Sequence, residues 1–396
     1  MTRHFVTADL MFGDQNKGTT VEFLVWTMNA GLVVRHIGGV NAAHNIVFEG
    51  RFDKEGKNYH TYNQFGCGTH LGAGTYLSKH FRFAPFYIVN EAAHLEEMGI
   101  SKPLDKLWVD ERCLLTLPYH EAYSMQQAPI HQRGTTGLGV GDTVRYAEQF
   151  PDAAIYAGDM RDRGLLRDKL KHLIAHYEEA GSTSSFIQSM PKPIENMMDF
   201  LESVADRVDI VGERQWLELR DQEFGSIVYE AAQGVQLDHK LGWQLPYVTS
   251  SNTTFDNAKE LLEGVDRSEI TWIGTCRMYA TRHGEGDLPS YDPKLDRLLP
   301  EVHNVPNEFQ GAMRRGWFDL DLINKSLEIL GGVDYISMSH LDYYNRLPFW
   351  RIRENGTNDE VFFHSVHNFL WYVEKQTKTK IGILGSGPKK EDRHYQ

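Results

Sequence analysis

The chain is poor in cysteine. Cys67, Cys113 and Cys276 are widely spaced and odd in number, which speaks against a disulfide framework and for buried thiols in a reducing compartment. Long apolar runs are missing. Nothing approaches the ~18–20 residues needed to span a bilayer. The start, Met1-Thr2-Arg3-His4, shows no signal-peptide core or lipidation motif. A cytoplasmic location without a membrane partner is the expectation. Positive charge is in deficit: 41 Lys+Arg stand against 54 Asp+Glu, a formal charge of −13. That balance argues against a nucleic-acid partner and leaves room only for local basic pockets. No Gly-x-x-x-x-Gly-Lys-Ser/Thr run, no His-Glu-x-x-His, no internal repeat and no low-complexity segment occurs. A P-loop kinase and a zincin-type hydrolase lose their main support.

What is present reads as a soluble enzyme of 396 residues, with 41% hydrophobic and 24% charged residues. Strand-like runs at 5–11, 33–37, 107–109, 226–230, 270–275, 335–338 and 381–384 each end in a polar or glycine-rich turn. This pattern predicts an α/β fold. It is a large, mainly parallel central sheet with helical insertions, and its ligands bind at the carboxyl ends of the strands. Residues 1–396 are read as a single domain, with 161–223 as a helical insertion on the spacing of Leu165, Leu166, Leu170, Leu173 and Ile174.

One segment carries more chemistry than the rest. Phe12-Gly13-Asp14-Gln15-Asn16-Lys17-Gly18 follows the first strand and precedes a helix-like run at 20–28. A strand, a tight turn and a helix start make a P-loop-like anion cradle, which Lys17 can complete. Asp14 adds a carboxylate that a phosphate cradle alone does not need. It suits a magnesium ligand, a general base, or both. In the bland reading Asp14 is a turn cap.

Further on stand Ile37-Gly38-Gly39-Val40-Asn41-Ala42-Ala43-His44, Gly134-Thr135-Thr136-Gly137, Glu230-Ala231-Ala232-Gln233-Gly234, Pro246-Tyr247-Val248-Thr249-Ser250-Ser251-Asn252, Ser339-His340-Leu341-Asp342 and Gly385-Ser386-Gly387-Pro388. In this order they resemble the adenylosuccinate synthetase family, from about residue 5 to about residue 390. The resemblance implies a ligase that joins L-aspartate to C6 of a 6-oxopurine nucleotide, IMP to adenylosuccinate, with nucleoside triphosphate hydrolysis through a 6-phosphoryl intermediate. It implies Asp14 as base, His44 as acid, Lys17 on the phosphates, and Mg²⁺ held by Asp14 and the Ala43 carbonyl. Asn41, Thr136, Gln233 and Thr249 would contact the substrate nucleotide. Arg145 is the candidate for an arginine that acts across a homodimer. Gly13, Asn16, Lys17 and Gly18 would hold the triphosphate, and His340, Asp342, Ser386 and Gly387 its base. GTP or ATP is the implied donor, and Asp342 leans toward GTP.

The chain departs from the family pattern in places. Gln15-Asn16 replaces the usual Glu-Gly, and Asn16 tolerates the left-handed backbone such a turn needs. The aspartate loop is contracted to Gln310-Gly311-Ala312-Met313-Arg314-Arg315-Gly316-Trp317, leaving Arg314 and Arg315 as partners for the aspartate carboxylate or for a ribose and phosphate. Asp9-Leu10, Leu71-Gly72-Ala73-Gly74 and Ile273-Gly274-Thr275-Cys276-Arg277 resemble the divergent phage branch, which makes 2-aminoadenylosuccinate from dGMP. That branch is the second reading, with ATP or dATP as donor and the host cytoplasm as location. A non-catalytic purine-nucleotide sensor is the third; it would not need Asp14 and His44 together.

Overall fold

The computed structural model describes residues 2–131, 136–182, 192–222, 224–299, 304 and 311–396, without the side chains of 128–131 and 358–360. Residues 134–135 of the Gly-Thr-Thr-Gly block, 183–185 of the loop in the expected insertion, and Gln310 lie outside the described residues. Ten strands form one sheet: β1 (Arg3–Asp9), β2 (Leu32–Arg35), β3 (Gly74–Leu77), β4 (Leu107–Asp110), β5 (Asp209–Val211), β6 (Ser226–Glu230), β7 (Ile270–Arg277), β8 (Tyr335–Ser339), β9 (Ile381–Gly385) and β10 (Arg393–Tyr395). Their order is β10-β9-β8-β7-β1-β6-β2-β3-β4-β5. All neighbours are parallel except β9 and β10.

Central strands are apolar on both faces because both faces are covered. Phe5, Val33, Val228 and Ile273 join one core, while Val6, Leu32, Val34, Ile227 and Tyr229 join the other. Helix α1 (Lys17–Met28) follows β1 directly. It starts earlier than the apolar run suggested, since Asn16, with φ 64°, turns the chain straight into it. The segment 161–223 is not wholly helical. Helices Arg163–Glu179, Pro193–Ala205 and Glu213–Asp221 flank β5, which pairs with β4 at the sheet edge. Two apolar β-branched residues, Ile210 and Val211, are too short a run to stand out among charged neighbours.

The parallel arrangement gathers distant strand ends on one edge. Asp9, Arg35, Glu230, Arg277, Ser339 and Gly385 close β1, β2, β6, β7, β8 and β9. The amino ends of the strands lie at the opposite edge. There Gly74, of the segment Leu71-Gly72-Ala73-Gly74, pairs with Leu32.

Candidate active site

The turn after β1 is organised by Asp9, which the sequence placed near the end of a strand and in a segment resembling the phage branch, without a role in the turn. Its Oδ1 accepts from the backbone N–H of Met11 (2.9 Å) and Gly13 (3.2 Å). Its Oδ2 accepts from the N–H of Gln15 (3.1 Å) and from Lys17 Nζ (2.7 Å). A buried carboxylate thus orders the turn from within, and four donors offset its loss of water. Asp14 and Asn16 both sit in the left-handed region, at φ 56° and 64°. Gly234 packs so closely that a Cβ there would lie 2.3 Å from Met11 O. Only glycine fits.

His44 opens a hairpin, His44–Val47 with Tyr59–Tyr62, outside the main sheet. Its Nδ1 lies 2.5 Å from Glu230 Oε1 at the end of β6. Burial lowers the His44 pKa, against the pull of Glu230. Glu230 is fully buried. Burial alone would raise its pKa, but Arg35, His44 and the Cys67 N–H together draw it down to about 2. His44, Cys67 and Glu230 bring ligand-type atoms within 4.8 Å of one another. Arg35 Nη1 stands 3.7 Å from the same Glu230 oxygen and supplies the balancing positive charge there.

A cavity of about 740 Å³ opens above this edge. It is lined by Gly13, Asp14, Lys17, Asn41, Ala43, His44, Thr136, Arg145, Gln233 and Thr249, so one chamber gathers these ten of the residues named from sequence. Asn41 Oδ1 is buried with no partner among the described residues, an acceptor waiting for a donor. Arg145 is 63% exposed and paired with Asp142 at 2.6 Å.

Others lie elsewhere. Arg314 and Arg315 are not among the described lining residues. Arg314 Nη2 donates to the carbonyls of Gly284 (2.6 Å) and Gly286 (2.7 Å), and Arg315 is paired with Asp296. Strand Arg314–Gly316 pairs antiparallel with Ala280–Arg282, and of the arginines on these two strands Arg282 is the one among the lining residues, its guanidinium donating to the carbonyls of Asp287 and Tyr247. Its guanidinium lies 4.3 Å from the centre of the Phe12 ring. His283 is also in the lining, with Nε2 3.4 Å from Asp14 Oδ2. The sequence reading missed both. The signal was faint: Thr281-Arg282-His283-Gly284 after a buried strand.

His340, Asp342, Ser386 and Gly387 form a separate shelf at the ends of β8 and β9. Arg393 ties it to α1 through Thr19 Oγ1 and to the carbonyls of Gly387 and Lys389. Burial first, with Arg277 and Arg393, holds the His340 ring neutral, while burial raises Asp342. Of the segments that resemble the phage branch, Asp9 orders the phosphate turn, while Leu10 and Gly274 pack on each other. A Cβ at Gly274 would lie 2.7 Å from Leu10 Cδ1, so that pair fits itself.

The adenylosuccinate synthetase family model matches residues 6–353. The adenylosuccinate synthetase of Methylococcus capsulatus is 30% identical over 88% of this chain and 79% of its own length. That of Actinobacillus succinogenes is 27% identical over 98% and 97%. Among solved structures, a fully ligated adenylosuccinate synthetase from Plasmodium falciparum superimposes with a TM-score of 0.80 at 19% identity, over 99% of both chains. A cyanophage S-2L succinoaminodeoxyadenylate synthetase bound to dGMP and dATP gives 0.67 at 15%, over 100% of this chain and 95% of that one. Among the described residues no helix is long and apolar enough to cross a membrane. The chain belongs to the adenylosuccinate synthetase family and is a C–N ligase.

Proposed function

We propose that the protein joins L-aspartate to C6 of IMP and consumes a nucleoside triphosphate, with Asp14 as base and His44 as acid. The observation that carries the reading is that Asp14 and His44 line one cavity with Gln233 and Thr249. Asp14 takes the purine N1 proton, and the 6-oxygen then attacks the γ-phosphoryl group, breaking its bond to the β,γ-bridging oxygen and releasing the nucleoside diphosphate. His44 stabilises the transferring group, and the aspartate amine displaces phosphate at C6. Lys17 has three donors, so it can reach a phosphate while keeping Asp9. Arg282, which lines the cavity and is held there by the carbonyls of Asp287 and Tyr247, is the partner proposed for an aspartate carboxylate.

Asp14 and Ala43 line the same chamber and offer a carboxylate and a carbonyl oxygen, the hard donors that suit Mg²⁺. Bound there, Mg²⁺ would spread the charge of the phosphates.

IMP is preferred to dGMP on two grounds. Curated relatives at 26–30% identity are adenylosuccinate synthetases. Leu71-Gly72-Ala73-Gly74, the segment that leaned toward a guanine pocket, lies at the far edge of the sheet, whereas Thr249 and Ser250 line the cavity. The deciding measurement is kcat/KM for IMP and dGMP side by side, with GTP and with ATP. A preference for dGMP above about tenfold (~1.4 kcal/mol) would overturn the acceptor and leave the ligase chemistry in place. Phosphate release without a succinylated product would overturn the ligase reading.

A further inference from the structure

His44 is held from behind by groups that never reach the cavity. A carboxylate oxygen only accepts, so with Glu230 Oε1 2.5 Å away the hydrogen sits on Nδ1 of His44. Nε2 is then the nitrogen left for chemistry in the chamber that His44 lines. Glu230 is itself pinned. The Cys67 N–H donates to Oε2 at 2.9 Å, and the Cys67 thiol donates to Oε1 at 3.0 Å. Arg35, fully buried at the end of β2, faces the same oxygen and donates to Phe65 O at 2.9 Å. The backbone leaves room for this and little else: a Cβ at Gly18 would lie 2.7 Å from His44 Cβ and 3.1 Å from Cys67 Sγ.

We propose that Glu230 is a positioning residue for His44, holding the imidazole with Nδ1–H inward and Nε2 toward the reacting phosphoryl group, with Arg35 and Cys67 holding Glu230. The inference rests on the role given to His44 above. It deepens that role by naming what fixes the tautomer and the ring plane. A ring free to rotate would meet the phosphoryl group in a mixture of orientations, whereas a ring held through Nδ1–H presents Nε2, which donates when the imidazole is protonated, as the role of acid requires. One carboxylate behind the ring removes that mixture, as the partners of functional imidazoles do elsewhere.

The test is proton NMR of the full-length protein together with steady-state kinetics. The short Nδ1–H···O bond should give a resonance well downfield of the amide region, absent in His44→Asn. Glu230→Gln keeps an acceptor but removes the charge. Its resonance should move upfield or vanish, and kcat should fall about 10- to 100-fold while KM for the nucleotide stays within about threefold. Glu230→Gln leaves Arg35 buried without its carboxylate and can fail to fold. Glu230→Asp keeps a charge opposite Arg35 but withdraws it from His44, and should lose the resonance too. Wild-type protein without a downfield signal that depends on His44 overturns the proposal. So does a folded Glu230 variant with unchanged resonance and kcat. Were the ligase reading itself wrong, wild type would show no turnover, yet the resonance and its dependence on Glu230 would still be seen.

Discussion

The ammonium of Lys17 lies 2.7 Å from the carboxylate of Asp9, and both side chains are almost wholly buried. The same carboxylate takes three backbone N–H groups of the turn. Removing its charge strands a buried cation and weakens three hydrogen bonds. Asp9→Asn should therefore lower unfolding free energy by about 3 kcal/mol or more, measured by urea denaturation. A loss under about 1 kcal/mol would show that the turn does not depend on this pair.

Asp14→Asn and His44→Asn each remove one acid–base group with little change of shape. General acid–base groups contribute about 10²–10⁴-fold, so each variant should lose at least about two orders of magnitude in kcat. KM for the nucleotide should change much less. Near-normal kcat in either variant removes that residue from its role.

Arg282 and Arg315 separate an arginine that lines the cavity from an arginine of the contracted loop on the strand paired with it. A charge-assisted hydrogen bond contributes about 1.5–3 kcal/mol. Arg282→Ala should therefore raise KM for aspartate by about tenfold or more. Arg315→Ala, whose guanidinium is engaged by Asp296, should raise it less than about threefold. The reverse order would return the carboxylate to the contracted loop.

Acid stability follows from three buried groups. Burial pushes His36 and His120 down to about 3, so the unfolded chain binds their protons first. Their contribution is complete above about pH 6.5 and is lost as pH falls toward 3. Glu230, held at about 2, adds stability above its unfolded pKa near 4.5, which is lost as pH falls from there toward 2. By pH 5 each histidine should remove about 2 kcal/mol. Urea midpoints at pH 7, 6 and 5 should fall accordingly, and His120→Gln should flatten the slope. A midpoint unchanged between pH 7 and 5 would contradict the buried neutral histidines.

A two-fold dimer is expected of this family, and Arg145 at the cavity is the residue that motivates asking. Light scattering should give twice the chain mass at working concentration. A fully active monomer would end the case for an arginine acting between subunits.

Seven of the ten sheet strands and the phosphate turn were legible in the sequence because their causes are local, whereas the short strands β3, β5 and β10 were not. Apolar residues ran through β1, β6 and β7, glycine and asparagine stood where positive φ was needed, and Lys17 opened a helix. The gathering of Asp14, Asn41, His44, Gln233 and Thr249 was readable only through the family order of motifs. Tertiary structure alone decided their partners. Glu230 is 186 positions from His44 and Asp14 meets His283. Arg282 lines the cavity and donates to the carbonyls of Asp287 and Tyr247, while Arg314 donates to those of Gly284 and Gly286. The reason is geometric. A parallel sheet returns every strand to the same edge, so the residues that end strands become neighbours whatever their separation along the chain. Which side chain then faces the ligand depends on strand pairing and on which charge finds a buried partner, and neither is written in local pattern.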